Sequence, residues 1–256
     1  MKPKLYISII QCDLHWEDKI NNFIEIEKSI QAVPEQTDVV VLPEMFSTGF
    51  SMNAKLLSES MDGKSVTQLK KWAFDFQKVV VGSLIIEENK QYYNRLIWAE
   101  PSGEIHYYDK KHLFTFAGEN KVYNAGNSQL IIEFKGWKIA CFICYDLRFP
   151  EWTRNVGAKY DAVIYVANWP ETRSQAWKSL LLARAIENQS YVIGVNRIGT
   201  DANGNSYSGD SAIIDPFGIC LSTGDAHKSE IISSTLDFKI LRDYRTKFPV
   251  LNDIKI

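Results

Sequence analysis

Three side chains able to do chemistry each follow an apolar run: Glu44 after Val39-Val40-Val41-Leu42-Pro43, Lys110 after Ile105 to Asp109, and Cys144 after Lys138 to Ile143. Such runs read as strands, and the crevice beyond the carboxyl ends of strands in an open α/β sheet is where ligands bind. A carboxylate, an ammonium and a thiol gathered there would suit acyl transfer. The thiolate is the nucleophile, and with an ordinary pKa of about 8.5 only a few per cent of a thiol is ionised at neutral pH, so a base is required. Of the four histidines, only His112, in Asp109-Lys110-Lys111-His112-Leu113-Phe114, lies in a stretch that looks like a site. A glutamate whose pKa is raised by burial could serve instead. A lysine held nearby would favour the thiolate and stabilise the oxyanion of a tetrahedral intermediate. Taken singly, each group has a plainer meaning: a turn glutamate in solvent, a solvated lysine pair, a small hydrophobe ending a core strand.

The elements that must position these groups follow from periodicity. Leu5 to Ile10 predicts a buried strand, and Trp16 to Val33 a helix with Ile20, Phe23, Ile24 and Ile30 along one face. Val66, Leu69, Trp72, Ala73 and Phe76 predict a second helix that feeds a strand from Val79 to Ile86. The turn Glu100-Pro101-Ser102-Gly103 makes a hairpin of Arg95 to Ala99 with Ile105 to Tyr108, and Gly136 turns Leu130 to Phe134 into the Cys144 strand. Pro150 is placed to open a helix. Asp161 to Ala167 is a further strand, Ser174 an N-cap for a helix reaching Gln189, and Tyr191 to Asn196, Ser211 to Ile214, Ile219 to Ser222 and Ile231 to Leu236 are strands. A short helix over Ile240 to Lys247 precedes a tail, Phe248 to Ile256, apolar enough to dock on the domain or on a second copy. Interleaved helices and strands with hairpins among them predict an α/β layered fold with mixed sheets.

With 256 residues, 45% of them hydrophobic, and no Pro/Gly/Ser-rich or charge-rich break, one domain spanning residues 1–256 with a sizeable core is expected. A formal net charge of -2 gives no electrostatic reason to expect a nucleic acid or an anionic membrane surface as partner. No apolar run approaches the roughly 20 residues of a membrane helix, and Met1-Lys2-Pro3-Lys4 with its short apolar run does not make a signal peptide. Four cysteines are too few for a disulfide scaffold, so a reducing compartment, the cytoplasm, is expected. Cys141-x-x-Cys144 could be a redox dithiol or half a zinc site, but a redox pair begins a helix rather than ending a strand, and no second Cys or His pair has zinc spacing. A hydrolase-like fold kept as a binding module is a further alternative, disfavoured by the complete set of base, cation and nucleophile.

Those motifs resemble the nitrilase, or carbon–nitrogen hydrolase, superfamily: Leu42-Pro43-Glu44-Met45-Phe46, Tyr108-Asp109-Lys110-Lys111-His112-Leu113-Phe114 and Cys144-Tyr145-Asp146-Leu147-Arg148-Phe149-Pro150-Glu151, in family order and at family-like separations. The likeness continues through Asn168-Trp169-Pro170, Ala183 to Gln189 and Tyr207 to Ser211. It implies that Cys144 is the nucleophile, Glu44 the general base and Lys110, rather than Lys111, the oxyanion-stabilising cation. Glu119, in Gly118-Glu119-Asn120, matches a second family glutamate that orients substrate and base, and the backbone N–H of Tyr145 would be the other oxyanion donor. The family fold implied is a four-layer α-β-β-α sandwich with two mixed β-sheets. A homodimer is implied through the helices flanking the cysteine strand and the C-terminal tail, with no cofactor and no metal.

Within the superfamily the chain is similar to bacterial ω-amidases acting on 2-oxoglutaramate and 2-oxosuccinamate, through Pro43 to Met52 and Asn168 to Arg173. Hydrolysis of the ω-amide of such a small-molecule substrate to acid and ammonia is the implied reaction; aliphatic amidase, carbamoylase and nitrilase activities are the alternatives. The far carboxylate of these substrates needs a cation, for which Arg173 is the candidate clamp. Phe114 and Trp169 are candidate pocket walls.

Overall fold

The structure is a computed structural model and describes residues 4–254. The first half of the chain builds β1 (Leu5–Gln11), α1 (Lys19–Gln31), β2 (Val39–Val41), α2 (Ala54–Leu57), α3 (Lys64–Phe76), β3 (Val79–Glu88), β4 (Gln91–Ala99) and β5 (Ile105–Asp109). The second half adds β6 (Leu130–Phe134), β7 (Trp137–Ile143), α4 (Pro150–Thr153), β8 (Ala162–Ala167), α5 (Ser174–Asn188) and β9 (Tyr191–Asn196). It continues with β10 (Ile198–Thr200), β11 (Ser206–Ser208), β12 (Ala212–Ile214), β13 (Cys220–Thr223), β14 (Glu230–Leu236) and α6 (Phe238–Lys247). Two six-stranded mixed sheets result, ordered β14-β1-β2-β3-β4-β5 and β13-β12-β9-β8-β7-β6, with β10-β11 as a separate ribbon.

The period-2 alternation of strand side chains assigns the layers. Leu5, Ile7, Ile9, Val39, Val41, Val79 and Val81 of the first sheet share one core with the second sheet's Ile139, Cys141, Ile164 and Ile193. The intervening Val40, Val80 and Ile97 instead join Ile26 and Ile30 of α1 and Leu69 and Trp72 of α3. On the far side, α5 packs so tightly on β9 that a Cβ at Gly194 would lie 2.5 Å from Leu181. The order is therefore helix, sheet, sheet, helix, the four-layer α-β-β-α arrangement. Each fully buried Val, Leu or Ile contributes about 1.5–3 kcal/mol relative to exposure, which is what allows the same molecule to bury the charges described below.

Several expected boundaries move, for local reasons. The helix expected from Trp16 begins at Lys19, because Glu17 sits at φ 55 and Asp18 caps it, accepting from the Asn21 N–H at 3.1 Å. Ser174 is not an N-cap. A 3-10 turn over Glu171–Arg173 runs straight into α5, so Ser174 is its first residue and its hydroxyl donates to Asp210 Oδ2 at 2.7 Å. The expected tail docks on its own domain through buried Leu251 and through Gln189 Nε2 donating to Phe248 O at 2.7 Å; residues 255–256 of that tail lie outside the described residues.

Candidate active site

β2, β3 and β5 run in one direction within the first sheet, β7, β8 and β9 in one direction within the second, so each sheet collects several strand ends at one edge. Glu44 lies three residues beyond β2, Lys110 directly after β5, Cys144 directly after β7 and Asn168 directly after β8. Local contacts fix each exit. Leu42 N–H donates to Val81 O at 2.7 Å and Met45 N–H to Ser83 Oγ at 2.8 Å, bracketing Glu44. Lys110 is held by its N–H to Asn94 O at 3.0 Å and by Gly126 N–H to its carbonyl at 2.9 Å. A Cβ on Gly126 would lie 2.2 Å from Asp109 O, so only glycine permits that approach. Cys144 occupies φ 45, a left-handed conformation that non-glycine residues adopt at a cost.

These residues meet. The Lys110 ammonium donates to Glu44 Oε1 at 2.8 Å and to both oxygens of Glu119, at 3.1 and 2.9 Å. Asn94 Nδ2 joins the two carboxylates, donating to Glu44 Oε1 at 2.7 Å and Glu119 Oε1 at 3.2 Å. The other Glu44 oxygen accepts the Asn168 N–H at 2.8 Å, while Asn168 Nδ2 donates to the Glu44 carbonyl at 2.5 Å. Phe114 N–H reaches Glu119 Oε2 at 2.5 Å, and the Asn168 carbonyl lies 4.0 Å from the Cys144 sulfur. Glu44, Lys110 and Glu119 are fully buried. Ions so buried cost several kcal/mol each unless paired and hydrogen-bonded, and here every one is.

The electrostatics follow from that burial. Removal from water pushes the Cys144 thiol well above the usual range; Glu44 and Glu119 add to the rise, and Lys110 opposes it. Burial likewise raises the Glu119 carboxyl, with Lys110 opposing and Glu44 adding. Desolvation alone would lower the Lys110 pKa, but Glu119 and Glu44 hold it above the ordinary lysine range. A third negative charge, on sulfur, is therefore unfavourable beside two carboxylates and one ammonium. A proton passed from sulfur to Glu44 leaves the total charge of the site unchanged.

Above this cluster opens a cavity of about 520 Å³ lined by, among others, Lys110, Phe114, Cys144, Tyr145, Trp169 and Arg173. The two expected walls and the expected clamp are thus in the pocket with the thiol. Arg173 stacks its guanidinium over the Phe114 ring at 5.3 Å. Tyr145 lies in the first turn of the 3-10 helix Cys144–Arg148, where N–H groups lack an acceptor within the helix. Lys111 lies outside the pocket, over the Trp152 ring at 5.3 Å. His112, the histidine open as a base, is not one: its ring is bonded to Asp146 and stacked on Phe149 at 3.8 Å, outside the cavity. Cys141 stays buried inside β7, its thiol pushed up by desolvation.

Among the pocket residues given no role from sequence, two bear on the chemistry. Arg148, four positions after Cys144, enters the cavity with its guanidinium 4.8 Å from the Trp169 ring. Asn168 supplies the bonds that orient Glu44. The signal for both was present, a polar residue at or just after a strand end, but nothing in spacing alone separates them from solvated turn residues. The ribbon β10-β11 was also unread; its connecting loop lines the cavity with Asp201, Asn203 and Asn205.

Comparison with known proteins supplies the family. A carbon-nitrogen hydrolase family model matches residues 6–246. The omega-amidase YafV of Escherichia coli strain K12 is 43% identical over 251 residues, spanning 98% of this chain and 97% of the relative. The 2-oxoglutaramate amidase of Bacillus subtilis strain 168 is 36% identical and spans 98% of each chain. A CN-hydrolase superfamily protein of Xanthomonas campestris, solved with an arsenic adduct in its active site, superposes with a TM-score of 0.97 at 38% identity, covering 99% of this chain and 98% of that one. With the family model spanning almost its full length, the chain belongs to the carbon–nitrogen hydrolase family and is a hydrolase of carbon–nitrogen bonds other than peptide bonds.

Proposed function

We propose that the chain is an ω-amidase that hydrolyses the terminal amide of small oxo-acid amides such as 2-oxoglutaramate and 2-oxosuccinamate, with Glu44, Lys110 and Cys144 as its catalytic groups. Glu44 takes the thiol proton as sulfur attacks the amide carbon, and the carbonyl electrons move to oxygen, held by the Lys110 ammonium and the Tyr145 N–H. Glu44 returns the proton to nitrogen, the carbon–nitrogen bond breaks, ammonia leaves and a thioester remains. Glu44 then deprotonates water, which attacks the thioester, and the departing sulfur regains a proton. Glu119 fixes Lys110 and the Phe114 segment throughout.

The observation carrying the choice of substrate is that Arg148 and Arg173 share the pocket with Cys144 and neither guanidinium has a hydrogen-bonded or ion-paired partner among the described residues. Half-buried cations in that state are matched by an anionic ligand group, here the carboxylate far from the amide. Ammonia release from the two oxo-acid amides, glutamine, neutral amides, carbamoyl compounds and nitriles tests this. The oxo-acid amides should show the highest kcat/KM. Arg148→Ala and Arg173→Ala should each raise KM for them roughly 10- to 100-fold, the worth of a charge-assisted bond, with little change for a neutral amide. A preference for neutral amides, or equal effects on both classes, would sink the assignment.

We further propose that the chain is a single catalytic domain working in the cytoplasm as a homodimer. All four cysteines are free thiols, which suits a reducing compartment. Leu182 and Ile186 of α5, Phe217 and Ile219 of the β12–β13 turn and Phe248 after α6 are exposed apolar side chains, brought together where Gly218 abuts Ile186 and Phe217 meets Tyr244 at 4.1 Å. A patch of this kind marks an association surface. Light scattering should give twice the chain mass, and Phe217→Asp with Ile219→Asp should halve it; a monomeric parent chain would refute the dimer, and recovery in a membrane or periplasmic fraction the location.

A further inference from the structure

We propose that Asp146 is a positioning residue that holds the segment carrying Lys110 and the turn carrying Cys144 in one frame. This rests on the catalytic assignment above but not on the class of amide hydrolysed. Asp146 is fully buried and does not line the cavity. Its Oδ2 accepts the Ile143 N–H at 3.1 Å and the Tyr108 hydroxyl at 2.8 Å. Its Oδ1 accepts the His112 N–H at 2.9 Å and lies 2.8 Å from His112 Nδ1. Two carboxylate oxygens offer about four lone-pair sites, and all are occupied.

What those four donors belong to gives the arrangement its meaning. Ile143 immediately precedes the nucleophile, while Tyr108 and His112 lie two residues before and two after Lys110. One carboxylate therefore ties the end of β7, in the second sheet, to both flanks of the lysine at the end of β5, in the first. Trp152 Nε1 and the Lys111 N–H close the network by donating to the Tyr108 oxygen at 3.0 and 3.2 Å. The device answers a need created by Cys144 itself. A cysteine at φ 45 persists only where its surroundings over-determine it, and the bond from the Ile143 N–H anchors the residue just before it. His112 is thus a strut, its ring clamped between Asp146 and the face of Phe149.

Misplacing a reacting group by about 1 Å can cost on the order of 100-fold in rate, so the expected signature is a loss in kcat with KM nearly kept. In Asp146→Asn, the amide presents hydrogens where two donors already point, and kcat should fall about 100-fold. Should that variant fail to fold by circular dichroism, two substitutions at His112 decide the matter. His112→Ala removes the ring bond and the stacking on Phe149 but keeps the backbone N–H bond, and should lower kcat about tenfold; His112→Asn returns an N–H donor near the Nδ1 position without the stacked ring and should restore most of it. Rates are taken on whichever amide of the panel has the highest kcat/KM, below the melting temperature of every variant, with Cys144→Ala as control. His112→Ala at the parental rate, His112→Asn no better than His112→Ala, or a loss confined to KM would overturn the inference while an inactive Cys144→Ala leaves the catalytic assignment standing. An active Cys144→Ala would overturn both.

Discussion

Replacing Cys144 with alanine is expected to lower kcat by on the order of 10⁶-fold, the scale seen when a covalent nucleophile is removed, without unfolding the protein. The site keeps its Glu44–Lys110–Glu119 cluster in that variant, because none of those hydrogen bonds involves sulfur. Alanine also tolerates φ 45 no worse than cysteine does. Mass spectrometry after acid quench is the second readout. The parent protein mixed with substrate should carry the mass of the acyl group on the peptide containing Cys144, and the alanine variant should carry none. Full activity in Cys144→Ala, or acylation elsewhere, would remove the basis for a thioester pathway.

The second large effect is expected at Glu44. Glu44→Gln keeps one acceptor oxygen, for Lys110 or for the Asn168 N–H but not for both, and has no site for the travelling proton, so amide turnover should fall about 10³- to 10⁴-fold, near the upper end for a general acid–base. Alkylation of Cys144 by iodoacetamide should behave in the opposite sense. The Glu44 charge is one of the contributions raising the thiol pKa, after burial itself. Neutralising it lowers that pKa, so the midpoint of the alkylation rate moves to lower pH and the rate at fixed neutral pH rises. A variant slow in hydrolysis yet faster in alkylation separates the proton carrier from a structural prop. Parallel loss of both would mark Glu44 as structural.

The sequence by itself determined which segments become strands and helices and which side chains wait at their ends. Val39 to Val41 and Val79 to Val81 are so apolar and β-branched that only a strand buried on both faces accommodates them, and their termini bring Glu44 forward. The hairpin through Gly136 and the helix of α3 are local in origin in the same way. That brought Glu44, Lys110 and Cys144 forward as candidates, and the family resemblance added Glu119.

The tertiary structure alone decided which polar groups are partnered and which are left for a ligand. Asp109 and Asp146 look alike as acids near a strand end, yet Asp109 closes a bidentate pair with Arg95 at 2.6 and 2.8 Å while Asp146 joins the lysine and cysteine segments across two sheets. Lys110 and Lys111 are neighbours in the chain, but one is buried among carboxylates and the other rests on Trp152. Arg173 was expected at the pocket from the resemblance, whereas Arg148 joined it only when the fold placed both side chains beside Cys144 with no acid paired to either among the described residues. Periodicity specifies which face of an element is buried, a property of neighbours in sequence. The company a charge keeps is set by strands brought together from far along the chain, and it is that company which separates a catalytic ion from a structural one.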